Sequence, residues 1–135
     1  MTVAFTACIS EQDRVNIGHL QTIVFDLVKT NVGNAYKGTS GIFIAPVSGV
    51  YDFHLSAMVT VDHVIYLNII KNGVTFDVMV AEGHGRVTTV TEFWTIELQT
   101  NDLVWIQSDT TWVDGHITAL HGWCNSVFSG FLIGV

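Results

Sequence analysis

The 135-residue chain is long enough for one domain with a real core and too short for two. Its formal charge of −7 comes from twelve acids against five bases, and no run of Lys or Arg occurs, which argues against binding nucleic acid or an anionic membrane surface. Apolar residues make up 49% and charged residues 13%, about half the usual ~25%, so part of the surface is expected to be covered by other subunits.

The N-terminal stretch MTVAFTACISEQD has neither the basic start nor the long apolar run of a secretory leader. No apolar run approaches the ~20 residues that span a bilayer, so no membrane insertion is expected. Helix signals are nearly absent, whereas strand signals recur along the chain. Val3–Ile9 and Ile23–Val28 read as the first strands. In the following stretch, NAYKGTSGIFIAPVSGVYDF (Asn34–Phe53), Gly41 and Gly49 read as punctuation at strand ends. Pro46, the only proline, belongs to the short connection between them, where its missing N–H costs no ladder bond. Tyr51–Asp62 alternates in character: Tyr51, Phe53, Leu55, Ala57, Val59 and Val61 share one face, while Asp52, His54, Ser56, Met58, Thr60 and Asp62 share the other. A period of two marks a strand with one face in a core, so His54 points away from it, toward solvent or a neighbouring subunit.

Val64–Lys71 and Val74–Ala81 flank Asn72-Gly73, a pair that supplies the positive φ values of a tight hairpin turn. Glu82–Arg86 reads as a loop, Val87–Leu98 as a long strand, Gln99–Asp102 as a turn and Leu103–Asp109 as a strand. Trp94 and Trp105 lie within strands and read as core or interface residues. Val127–Val135 is apolar on both faces and is expected at the centre of its sheet, covered on both sides. No linker or internal repeat divides the chain, so residues 1–135 read as a single all-β domain of eight to ten strands, for which two packed sheets are the natural solution.

Six fragments in this order carry a family resemblance: VAFTA (Val3–Ala7), IVFDLVKTNVGNAY (Ile23–Tyr36), GIFIAPVSGVYDF (Gly41–Phe53), KNG (Lys71–Gly73), LQTNDLVWI (Leu98–Ile106) and FSGFLIG (Phe128–Gly134). Together they resemble the C1q domain, the globular head of the complement recognition protein, from about Val3 to Val135. The resemblance implies a ten-stranded, two-sheet jelly roll similar to that of tumour-necrosis-factor-like cytokines. It also implies a homotrimer and a secreted, non-catalytic binding module. Phe5, Phe25, Asn31, Gly33, Tyr36, Gly41, Phe43, Pro46, Gly49, Tyr51, Phe53, Gly73, Asp102, Phe128, Gly130 and Phe131 match family positions, which implies core, turn and trimer-axis roles rather than a ligand site. Asn101 stands where the family usually has glycine, and Asn tolerates the left-handed conformation that the turn requires. Many members bind calcium through an acidic run in the loop before the last strand. Here that loop, Leu120–Ser126, has no acid, which counts against a calcium site; Asp62, Asp109 and Asp114 fall short of the six to eight oxygens calcium takes. In such a jelly roll the first and last strands are antiparallel neighbours, which would bring Cys8 and Cys124 together as a disulfide; the alternative is two buried free thiols.

The six histidines, His19, His54, His63, His84, His116 and His121, show no HExxH-type metal spacing, although a site on a threefold axis would need only one per subunit. No GxSxG elbow or phosphate-binding loop occurs, so the chain does not read as an enzyme. The segment SDTTWVDGHITALHGWC (Ser108–Cys124) is different in kind. It reads as loop-rich, with Trp112 and Trp123 to cover the C–H face of a sugar and Asp109, Asp114, His116 and His121 to bond its hydroxyls. Packed tryptophans are the competing reading. Two functions follow: a carbohydrate-binding, lectin-like module of innate immunity, or a protein-binding or structural trimer that serves as receptor ligand or scaffold.

Overall fold

The computed structural model describes residues 1–11, 13–14, 17–113, 117–118 and 123–135; for residues 13, 111–113 and 118 the description is of the backbone alone. The described strands are β1 Ala4–Cys8, β2 Asp13–Arg14, β3 Leu27–Val32, β4 Tyr36–Lys37, β5 Ile42–Ile44, β6 Gly49–Val59, β7 Val64–Lys71, β8 Val74–Glu82, β9 Thr88–Leu98, β10 Leu103–Val113, β11 Ile117–Thr118 and β12 Val127–Gly134. A first sheet runs β3-β1-β12-β6-β9, and a second runs β4-β5-β10-β7-β8. These ten form the jelly roll; the two-residue strands β2 and β11 pair with each other and extend the first sheet at Met58 of β6. Every pairing is antiparallel, and no helix occurs among the described residues.

Alternation makes the core. Tyr51, Phe53, Leu55, Ala57 and Val59 of β6 are all buried, and they meet Ile65, Leu67 and Ile69 of β7 and Val104 and Ile106 of β10 in one hydrophobic cluster. Its centre is aromatic. Phe5 stacks on Tyr36 with ring centroids 4.8 Å apart and meets Phe128 edge-on at 5.0 Å, while Phe43 meets Phe53 edge-on at 5.2 Å. Such offset and edge geometries contribute beyond area burial.

Two strand expectations need correction. Ile23–Val28 is not a strand as a whole; pairing with β1 begins at Leu27 and runs to Val32. Ile23 and Phe25 are nonetheless buried. Their backbone is satisfied elsewhere: the Ile23 N–H donates to the Ile106 carbonyl at 2.8 Å, and the Phe25 N–H to the Tyr36 hydroxyl at 3.2 Å. The alternation was therefore a burial signal without a ladder. β12 does lie centrally, between β1 and β6, but only one of its faces is covered. Phe128 is fully buried, whereas Phe131 and Ile133 are 44% and 55% exposed.

The turns follow their residues. Asn72 and Gly73 have φ of 51° and 83°, which closes the β7–β8 hairpin, and Asn101 takes φ 74°. Asn72 also ties two turns together. Its Oδ1 accepts the Leu103 N–H at 2.8 Å, and its amide donates to Asp102 Oδ1 at 3.0 Å. The Gln99 N–H and the Asn72 amide hold the Asp102 carboxyl below the usual carboxylate range.

Tyr36 gives a pH prediction. Its hydroxyl donates to the Phe25 carbonyl at 2.8 Å, and burial pushes its pKa up to about 12. The unfolded chain releases this proton near pH ~10, so the folded state holds it more tightly. The associated stability is complete below pH ~10 and is lost as pH rises toward 12. Urea denaturation across pH 9–12 should show this loss in the parent and a smaller one in Tyr36→Phe; equal slopes would remove the assignment.

Candidate functional site

The two ends of the sandwich differ. At one end lie the start of β1 and the end of β12, joined by the Leu132 N–H to the Val3 carbonyl at 2.9 Å. At the other, Cys8 of β1 stands opposite Val127 of β12, and the connection before β12 is pinned. There the Cys8–Cys124 disulfide has a Cα–Cα separation of 5.3 Å. The Ser126 hydroxyl accepts the Met58 N–H at 3.0 Å, and the Asn125 N–H donates to the Trp123 carbonyl at 2.9 Å.

Trp123 is the exposed product of this anchoring. Its immediate neighbour is cross-linked to the core, yet Trp123 itself is 74% exposed. Asp109 is half-buried on β10 and accepts the Asn68 amide through Oδ1 at 3.0 Å. The strand expected over Leu103–Asp109 runs on through Val113, into the segment expected to be loop-rich, because β10 continues past a register shift to pair Val113 with Ile65. Trp112 thus lies on β10, with its backbone alone described. Asp114, His116 and His121 lie outside the described residues. Of the described members, Asp109 lies on β10 and Trp123 in the connection before β12. No group of three or more metal-binding side chains occurs among the described residues. Asp62 takes φ 64° in the turn after β6, and its Oδ1 accepts the Gly85 N–H at 3.3 Å.

The tryptophans within strands part company. Trp94 is 7% exposed and donates Nε1–H to Asp77 Oδ2 at 2.7 Å, bridging β9 and β8 across the flank of the sandwich. Trp105 is half-buried, with its Nε1–H on Gln107 Oε1 at 3.1 Å. The sequence held a signal for this. Val104, Ile106 and Ser108 take the buried positions of β10, so Trp105, Gln107 and Asp109 must share its other face.

A third surface is the outward face of the first sheet. His54 Nε2 is hydrogen-bonded to Asp52 Oδ2 at 2.8 Å, and its ring lies between Phe93 and Phe131 with centroids 5.6 and 6.3 Å away. Phe93 is 67% exposed.

The C1q domain family model matches residues 4–133. The chain belongs to the C1q domain family. Over 115 residues it is 36% identical to complement C1q tumor necrosis factor-related protein 3 of mouse, and equally so to the human protein; the match covers 82% of this chain and 44% of that relative. It is 31% identical to zebrafish Caprin-2 over 84% of this chain and 12% of that protein. The chain thus spans less than half the length of these relatives. The globular domain of zebrafish complement 1qA protein has the same fold, with a TM-score of 0.75 at 20% identity over 99% of this chain and 98% of that one. So does murine APRIL, with a TM-score of 0.71 at 9% identity over 98% of this chain and all of that one. At these identities the likeness is one of fold. The rings of Phe5, Tyr36, Phe43, Phe53 and Phe128 are buried in one cluster, whereas Phe131 is exposed.

Proposed function

We propose that this C1q domain is a secreted, trimeric pattern-recognition module that binds carbohydrate on microbial or cell surfaces. The carrying observation is Trp123, a 74% exposed indole held by the adjacent Cys8–Cys124 bridge. Holding such a ring in water gives no folding advantage, but it offers a flat apolar surface to a sugar's C–H face at little ordering cost. Asp109, Trp112, Asp114, His116 and His121 complete the site in this reading. Membership of a family of recognition and ligand domains supports a non-catalytic role, and the disulfide supports an oxidising, extracellular setting.

Assembly has its own support. The chain carries two unlike apolar surfaces: the outward face of the first sheet, with Phe93, Phe131 and Ile133, and the β8 edge, with Val74, Phe76, Val78 and Val80. Unlike surfaces that meet head to tail form a ring where the rotation closes, and a trimer is one such ring. Three weak sugar sites on one ring then act together on a multivalent surface. The parent is expected to sediment at three times the chain mass, and Phe131→Asp as a folded monomer. A parent that stays monomeric at micromolar concentration would remove the trimer.

The intact oligomer on a glycan array, with and without chelator, tests the carbohydrate reading. Trp123→Ala and His116→Ala should each lose most of the signal while keeping the assembly. A parent that binds no glycan would leave the second reading, a trimer that acts as receptor ligand or scaffold.

A further inference from the structure

We infer that the sugar site continues down the outward face of the second sheet, with Trp105 as a second stacking platform and Gln107 and Asp109 as hydroxyl partners, so that the ligand is an oligosaccharide. This rests on the carbohydrate reading above and extends it from Asp109, which that site already includes, to Trp105 and Gln107.

The face is built by β10 and β7. Trp105, Gln107 and Asp109 are half-buried on one side of β10, between the buried Val104, Ile106 and Ser108. Their bonds run along that side. The Trp105 indole N–H donates to Gln107 Oε1 at 3.1 Å, and the Asn68 amide donates to Asp109 Oδ1 at 3.0 Å. Asn68 of β7 pairs with Gln107, and Tyr66, half-buried two residues earlier, belongs to the same face. These side chains are therefore oriented before any ligand arrives, which lowers the ordering cost of binding.

The chemistry of the row selects its ligand. An indole and a phenol flank an amide and a carboxylate, and no residue from Tyr66 to Ile70 or from Trp105 to Asp109 is basic. An anionic ligand finds no counter-charge there. A neutral polyhydroxyl chain finds ring faces for its C–H surfaces and a carboxylate for its O–H groups. Asn68 is only 3% exposed, so the amide that orients Asp109 is itself held by packing. From Trp105 to Asp109 the strand rises ~13 Å, roughly the length of two to three hexose units.

The test is calorimetric titration of the intact oligomer with mannotriose, chitotriose and galactotriose, each beside its monosaccharide, for the parent, Trp105→Ala and Gln107→Ala. The trisaccharide that the parent prefers should bind about tenfold more weakly to both variants, with monosaccharide affinity changed by less than about twofold. Gln107→Ala removes no core volume, so it decides the matter if Trp105→Ala fails to fold. Trisaccharide affinity within about twofold of the parent in the folded variants overturns the sheet-face site and leaves the carbohydrate reading standing. So does a parent that binds the trisaccharide no better than its monosaccharide. A parent that binds none of the six sugars and no glycan on the array overturns both.

Discussion

Loss of the Cys8–Cys124 bridge is expected to lower the unfolding free energy by about 2–5 kcal/mol. The bridge closes a loop with a sequence separation of 116, nearly the whole chain. In the chain-entropy account, the intact bond deprives the unfolded ensemble of the freedom of so long an open loop, and cutting it restores that freedom and favours unfolding. The effect should also have a local part. Cys8 is fully buried at the end of β1, and Cys124 anchors the segment that displays Trp123. Urea denaturation of a Cys8→Ser/Cys124→Ser double variant should show the fall in midpoint. Trp123 fluorescence should report a loosened loop before global unfolding. A double variant with the parent's midpoint and the parent's glycan binding would mean that β1–β12 pairing alone holds this end.

The second large effect is expected at Gly130. In β12 it faces Phe53 of β6 and Phe5 of β1 across the ladder. A Cβ there would lie 2.8 Å from Phe53 Cδ1, 2.9 Å from the Asp52 carbonyl oxygen and 2.9 Å from Phe5 Cε1. Rings can tilt, but the carbonyl belongs to the adjacent strand and can move only with the sheet. Gly130→Ala should therefore cost about 1–3 kcal/mol through overpacking, although alanine is the better strand former. Thermal unfolding of the variant against the parent checks this. An unchanged midpoint would mean that β6 and β12 shift apart freely at this position.

Much of the architecture is legible in the residues because alternation is a local property. In β6 the odd positions from Tyr51 to Val59 are apolar, and all are buried. Asn72-Gly73 names its own turn, since few other pairs accept two positive φ values. The misread elements share a cause. Ile23 and Phe25 are spaced like strand residues, but their N–H groups go to the distant Ile106 carbonyl and to a side chain, the Tyr36 hydroxyl, and not to a ladder partner on β1. β12 is apolar on both sides because one face meets the core and the other, with Phe131 and Ile133, is open in the single chain. A pattern of side chains records that a face will be covered without recording by what.

The candidate site divides in the same way. Trp123 was singled out by composition, and the structure shows it exposed beside the bridge. Trp105 reads in the sequence as a core or interface residue, and the alternation of β10 puts it on one face with Gln107 and Asp109. What composition could not show is that this side of β10 lies beside Asn68 and Tyr66 of β7, strands separated by more than thirty residues of chain.

The sequence by itself determined the fold class, the turns, the aromatic core and membership of the C1q domain family, because each depends on periodicity or on motifs that stand next to each other along the chain. Only the tertiary structure decided which faces stay open and which side chains meet. The Cys8–Cys124 bond, the His54–Asp52 pair between Phe93 and Phe131, and the Trp105–Gln107–Asp109 row beside Asn68 depend on strand order and register. Those are set by long-range pairing, whose energy comes from burying both sheets' inner faces at once and not from any one segment.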